Sequence, residues 1–311
     1  YHIADSLGKP CVINASAGTY FGSHDAKDPS ALYIDNLITG SNGHLFVCSA
    51  GNSGSSSYHL RHNSIANDTI FSLFKHNSSL NYSSYGCVPY CYGSNSVHFI
   101  GYADSSTFNN VQIAMSAYNG DKRSGITNYF NIPDYISGSY YQDNYGAYVD
   151  SIVNENNERV GMMFMFASLI YDSVYNFEII INPDSVNGYL WGFHTTGNGI
   201  CDIWSDENYI GKSEIVKSNS VDFPFSIKPT NYIDPDTLYT ICSSFQCLPS
   251  TITVANYVND SGYVNNLGNR VNIGGIRGEL SVTSSKGPTR TGLMKPDISA
   301  SGELTISTYP S

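Results

Sequence analysis

Gly51-Asn52-Ser53-Gly54 is the stretch whose residue types and spacing could do chemistry. It follows Leu45-Phe46-Val47-Cys48-Ser49-Ala50, which reads as a buried parallel strand breaking into a tight loop at its carboxyl end, where open α/β sheets place their sites. A side-chain amide held rigidly beside a reacting carbonyl donates a hydrogen bond to the developing oxyanion, a contribution of about 3 kcal/mol to transition-state stabilisation. Asn52 carries such an amide. It is also a natural turn residue, since Asn between glycines tolerates positive φ, and spacing alone leaves both roles open.

Other polar residues suggest chemistry less well. His24 and Asp25 are adjacent, so they cannot align a base with its orienting acid and still present a nucleophile; they read as a surface turn. Ser53 lacks the strand-turn-helix Gly-x-Ser-x-Gly elbow, and its hydroxyl is expected to cap the turn. Lys286 reads as a solvated loop cation. His59, His62, His76, His98 and His194 have no close-set carboxylate or histidine in the sequence, which argues against a metal site. No cofactor is implied, and a structural calcium is not indicated. Trp191 and Trp204 lie in strand-like runs, as core aromatics do, although exposed aromatic faces would stack on sugar rings. Asn67-Asp68-Thr69, Asn77-Ser78-Ser79 and Asn81-Tyr82-Ser83 are glycosylation sequons.

The elements that must position Asn52 come from both ends of the chain. Lys9 to Asn14 reads as a short strand with a small, flexible exit at Ala15-Ser16-Ala17-Gly18-Thr19. Asp28 is a natural helix N-cap with Pro29 at the first helical position; Ala31, Ile34, Leu37 and Ile38 then share one face before Gly40. With Leu45–Ala50 as a returning parallel strand, this β-α-β unit places Ser16-Ala17-Gly18 and Gly51-Asn52 on the same sheet edge. Ser250–Ala255 is another apolar strand.

Between them the texture is different. Strand-like runs at Thr69–Phe74, Val97–Tyr102, Val111–Ser116, Tyr148–Val153, Met162–Phe166, Tyr175–Ile181, Tyr189–Phe193, Ile200–Trp204, Val221–Ile227 and Leu238–Cys242 recur with almost nothing helical between them. This predicts an antiparallel sandwich over residues 58–245, inserted into an α/β domain formed by 1–57 and 246–311.

At 311 residues the chain is long enough for one large or two ordinary domains. A net charge of -11 without a Lys/Arg cluster disfavours a nucleic-acid or anionic-membrane partner. No run of eighteen apolar residues is present, so no membrane segment is expected. The chain opens on Tyr1 without methionine or a signal-like segment, which reads as a processed chain or a fragment. Seven cysteines form no CxxC pair; Cys87/Cys91 or Cys242/Cys247 could bridge locally, an odd total leaves one thiol free, and Cys11 and Cys48 are expected to be unpaired. A composition with only 13% charged residues and 25 tyrosines favours secretion or the cell surface. The oligomeric state is not readable.

Three separated segments together resemble one family. Val12-Ile13-Asn14-Ala15-Ser16-Ala17-Gly18, then Ser49-Ala50-Gly51-Asn52-Ser53-Gly54, then Ser284-Ser285-Lys286-Gly287-Pro288-Thr289 with Lys295-Pro296-Asp297-Ile298, look like consecutive landmarks of the subtilisin-like serine peptidases. Gly22-Ser23-His24-Asp25 and the position of the insert resemble more narrowly the subtilases of the clostridial spore-germination type, which carry a jelly-roll there. The resemblance implies a parallel α/β subtilase core interrupted by a jelly-roll-like sandwich, a polypeptide substrate, and Asn52 as oxyanion donor. It implies that Ser16, Ala17 and Gly18 with Ser49, Ala50 and Gly51 flank the specificity pocket and pair with substrate backbone. The family's Asp-Thr-Gly, His-Gly-Thr and Gly-Thr-Ser segments are not in this chain, so the triad would lie outside it and the chain alone should not hydrolyse peptides. A different class is a non-catalytic protein whose protease-like core displays a protein- or glycan-binding sandwich.

Overall fold

Apolar runs from the two ends of the chain hydrogen-bond into one sheet, and the long β-rich middle builds another. This structure, a computed structural model, describes residues 1–18, 22–65, 68–76, 95–136, 147–185, 188–205, 213–224, 229–241 and 243–303. In chain order the elements begin with helix α1 (His2–Ser6), β1 (Cys11–Ala15), helix α2 (Pro29–Thr39) and β2 (His44–Ser49). Then come β3 (His59–Ser64), β4 (Thr69–His76), β5 (Val97–Asp104), β6 (Gln112–Asn119), β7 (Lys122–Ile126), β8 (Phe130–Asn131), β9 (Tyr148–Asn154) and β10 (Arg159–Ile170). β11 (Val174–Pro183), β12 (Leu190–Thr196), β13 (Gly199–Trp204) and β14 (Ser213–Ile215) follow. A 3-10 turn at Ser244–Cys247 leads to β15 (Ile252–Val258), β16 (Gly262–Val264), β17 (Arg270–Asn272) and β18 (Ile298–Glu303). The chain divides into two compact units, Tyr1–Ser56 with Thr237–Ser311, and Ser57–Asp236.

In the first unit the parallel sheet has the order β1-β2-β15-β18. Helix α2 starts where the sequence places it, because the Asp28 carboxylate accepts the otherwise unpaired amides of Ser30 at 2.9 Å and Ala31 at 3.0 Å. It buries Ala31 and Ile38. The crossover sets β1 beside β2 in the register Cys11↔His44 to Ala15↔Cys48. β2 then pairs with β15 over Val47↔Ile252 to Ser49↔Val254. Lys295, 3% exposed, donates to the Thr251 carbonyl at 2.8 Å and to Asp297 Oδ2 at 2.6 Å, and that oxygen also accepts the Thr253 amide at 2.7 Å. A buried ammonium is tolerated only with partners of this kind, and here they fix where β18 meets β15.

The second unit is one large antiparallel sheet, ordered β14-β4-β12-β6-β7-β9-β10-β11-β5-β13-β3, that curls until it is nearly a barrel. Strands far apart in this order face each other across the core. Phe74 of β4 stacks on Phe99 of β5 at 4.4 Å, and Phe193 of β12 meets Phe99 at 5.4 Å and Phe177 of β11 at 6.3 Å. Each such ring, fully buried, contributes roughly 1.5–3 kcal/mol. The antiparallel β-rich insert expected from the sequence is present, and β7, which pairs with both β6 and β9, makes its hydrogen-bonded path continuous. Lys122-Arg123-Ser124-Gly125-Ile126 has no apolar alternation to announce a strand. Trp191 and Trp204 are 1% and 2% exposed, so neither offers a face to a sugar ring.

Two expected strands are absent among the described residues. Val221–Pro224 forms a turn with Val221 at the surface, and the rest of that run lies outside the described residues. Leu238–Ile241 is irregular because Tyr239 takes φ 55°, which an extended strand cannot contain. Cys247 is a free buried thiol, which removes the Cys242–Cys247 bridge; Cys11, Cys48 and Cys201 are free as well. Burial raises the thiol pKa of Cys48, Cys201 and Cys247, which makes these sulfurs poor nucleophiles. Cys87, Cys91 and the sequon asparagines Asn67, Asn77 and Asn81 lie outside the described residues.

The histidines of this unit are structural partners. His59 lacks a close carboxylate in sequence yet stands between Asp202 at 3.3 Å and Asp236 at 3.0 Å, with Arg61 Nε donating to Asp202 at 2.6 Å. The Asp236 amide donates to the His59 carbonyl at 3.0 Å, so the two ends of the unit are tied together. Burial opposes the charged imidazole, but the two carboxylates outweigh it and hold the His59 pKa above its ordinary value. His62 Nδ1 lies 3.0 Å from Thr195 Oγ1 and its Nε2 lies 2.9 Å from Ser72 Oγ, while His194 Nε2 lies 2.7 Å from Ser116 Oγ. Burial, with the His194 charge, pushes His62 down to about 3, and burial, with the Arg123 charge, does the same to His194. Among the described residues no group of three or more His, Cys, Asp or Glu could hold a metal ion.

An acid-labile unit is the expected consequence. The unfolded chain protonates His62 and His194 near their ordinary pKa and the folded one only near 3, so their contribution is complete above pH 6.5 and is lost as pH falls. Each imidazole should remove about 1.4 kcal/mol per pH unit below 6.5, while His59, raised in the folded state, loses its contribution only at higher pH. Thermal denaturation between pH 7 and 5 checks this: the midpoint should drop, and His62→Gln should roughly halve the slope due to these two imidazoles.

Candidate functional site

Parallel strands point their carboxyl ends the same way, so Ser16-Ala17-Gly18 beyond β1 and Ala50-Gly51-Asn52 beyond β2 leave the sheet at one rim. The second segment is held from both sides. Gly51 turns the chain at φ 110°, a conformation few other residues reach. Its carbonyl accepts the Ser285 amide at 2.9 Å, the Ser53 amide donates to Ser285 Oγ at 3.0 Å, and the Gly54 amide donates to the Thr283 carbonyl at 3.0 Å. The Lys286 ammonium closes the clasp on the Gly54 carbonyl at 3.2 Å. The fit is tight enough that a Cβ at Gly54 would sit 1.8 Å from the Ser284 carbonyl oxygen.

Asn52 is exposed within this clasp. No hydrogen bond reaches its carboxamide from the described residues, so a rigid loop presents an amide donor without a partner. Ser16, Ala17 and Gly18 are exposed too, and Ser49 and Gly51 are half-buried. Ala50 is different: it is 1% exposed, packs with Ile241 and Cys247, and its amide donates to the Val254 carbonyl at 2.9 Å. Its N–H therefore belongs to the sheet.

Two expectations are corrected here. Lys286 is not a solvated cation, because its ammonium is engaged with Gly54 while its backbone bonds Thr240, with 2.8 Å from the Thr240 amide to the Lys286 carbonyl. His24-Asp25 is not a surface turn: the two are 2% and 6% exposed. Asp25 Oδ1 accepts the Ser23 hydroxyl and the Lys27 amide, its Oδ2 accepts Arg290 Nη2 at 2.5 Å, and Arg290 Nε donates to the Ser23 carbonyl at 2.7 Å. His24 Nδ1 lies 3.2 Å from the Ile241 carbonyl. A buried carboxylate needs a charged partner, and Arg290 supplies it from 265 residues away, which no local pattern could reveal.

Sequence reasoning also missed Ser285 as the loop's anchor and Gln246, whose Nε2 donates to the Ala17 carbonyl at 3.2 Å. Asp25→Ala should cost about 3–5 kcal/mol, because it strands the Arg290 guanidinium in a buried site; chemical denaturation measures this, and a loss below about 1 kcal/mol would contradict the pairing.

No profile of a known protein family matches the chain, and no curated protein matches it in sequence. Among solved structures, the CspB protease of Clostridium perfringens superposes with a TM-score of 0.60 at 17% sequence identity. The match covers 99% of this chain and 52% of that one, so the chain spans about half the length of the protein it resembles. At this identity the likeness is one of fold. No helix among the described residues is long and apolar enough to cross a membrane.

Proposed function

We propose that this chain is the central portion of a subtilisin-like serine endopeptidase, secreted or displayed at the cell surface, in which Asn52 is an oxyanion donor. One observation carries the reading: an exposed, unpartnered carboxamide on a clasped loop at the carboxyl rim of a parallel sheet, beside a small-residue ledge. The fold likeness to a solved protease supports it. So do the landmark segments, of which Ser285 and Lys286 take part in the clasp.

The chemistry is acyl transfer. A serine outside this chain attacks the scissile carbonyl, an imidazole accepts its proton, and a carboxylate orients that imidazole. Negative charge then grows on the carbonyl oxygen. Asn52 Nδ2–H donates to it, and because the loop is already fixed by Ser285, Thr283 and Lys286, little reorganisation accompanies the step. The substrate is an extended polypeptide lying along Ser16-Ala17-Gly18 and Ser49-Ala50-Gly51. The second unit is the jelly-roll-like insertion of this family. In the full-length protein, Asn52→Ala should lower kcat by about 10²–10³ with KM little changed, and a loss of less than about tenfold in steady-state peptide hydrolysis would rule out the oxyanion role.

A further inference from the structure

β1 loses its neighbour at Ala15, where the last pair with β2 is made. The three exposed residues that follow are nevertheless the ones the peptidase reading gives to the substrate. Among the described residues a single hydrogen bond reaches Ser16–Gly18: Gln246 Nε2 donates to the Ala17 carbonyl at 3.2 Å. Among the described residues nothing else bonds the backbone groups of this segment, as on a sheet edge that can take another strand.

Gln246 is itself immobilised. It is 0% exposed, and a buried carboxamide is costly unless its oxygen and nitrogen both find partners. Its Oε1 accepts the Ser243 amide at 2.6 Å, closing a reciprocal cap on the 3-10 turn at Ser244–Cys247. Its backbone carbonyl accepts Thr253 Oγ1 at 2.7 Å, which anchors it to β15. With the oxygen side of the amide committed to Ser243, the nitrogen side points at one carbonyl of the exposed segment. The side chain thus links β15, in the middle of the sheet, to a ledge that has left the sheet.

Resting on the peptidase reading, we infer that Gln246 is the positioning residue for this ledge: it holds Ala17 in the extended conformation that lets Ser16–Gly18 pair with the backbone of a polypeptide substrate. Asn52 takes no part in this link, so recognition of a long substrate and stabilisation of the oxyanion are supported by separate residues. Gln246 touches no reacting atom.

The test uses the full-length protein with two substrates, a peptide of about eight residues that runs along the ledge and a single-residue ester too short to reach it. Gln246→Glu keeps the acceptor for the Ser243 amide and removes the donor to Ala17; Gln246→Met removes both. Both variants should lower kcat/KM for the peptide about tenfold, the equivalent of one modest hydrogen bond, mainly through KM. Ester turnover should stay within about twofold, which also reports that each variant has folded. Equal losses on both substrates, or an unchanged peptide KM in Gln246→Glu, overturn the ledge assignment while leaving the peptidase reading intact. Failure of the unmodified protein to cleave either substrate overturns the peptidase reading and the ledge assignment together.

Discussion

Val47, Cys48 and Ser49 pair in parallel with Ile252, Thr253 and Val254, and this short ladder brings the two ends of the chain into one sheet. Because the pairing is parallel, every connection leaves the sheet at one of two rims, and the carboxyl rim collects the exits of β1 and β2. A one-residue slip would turn Cys48 and Ala50 out of their buried positions, so burial of the face they share fixes the register. The position of Asn52 follows: Ala50 is the last residue whose amide is bound to β15, Gly51 turns the chain, and the next residue meets solvent.

The first unit relies on buried polar ties where the second relies on aromatic packing. Among its described residues the cluster of Ala50, Ile241 and Cys247 is small, whereas Asp25 with Arg290, Lys295 with the Thr251 carbonyl, and Gln246 with the Ala17 carbonyl tie buried side chains to elements distant in sequence. Such groups have few satisfactory arrangements, so they specify geometry more narrowly than apolar contacts of equal area. A rigid rim suits the oxyanion role proposed for Asn52, which depends on aiming a dipole at developing charge. The second unit shows the other solution, with phenylalanines from strands remote in hydrogen-bonding order stacked across one core and imidazoles buried among hydroxyls.

Much of the framework was legible because its signals are local. Asp28-Pro29 and Gly40 punctuate a helix whether or not the rest of the chain is known, and runs such as Tyr175–Ile181 carry the β-branched and aromatic residues of a buried strand. β3 escaped because His59-Leu60-Arg61-His62-Asn63-Ser64 reads as polar; its buried residues include imidazoles, one on each face, satisfied by partners on other strands. The burial of His24-Asp25 and the engagement of Lys286 escaped for the same reason, since their partners lie more than 200 residues away. Asn52 was visible as an amide in a turn. Its environment, the clasp from Thr283–Lys286, was not.

The most direct measurement is a crystal structure of the full-length protein with a peptide aldehyde bound as a tetrahedral adduct. Asn52 Nδ2 should lie about 2.7–3.1 Å from the adduct oxygen, with the peptide backbone extended along Ser16–Gly18. An adduct oxygen bound by other donors, with the Asn52 carboxamide turned away into solvent, would contradict the oxyanion role.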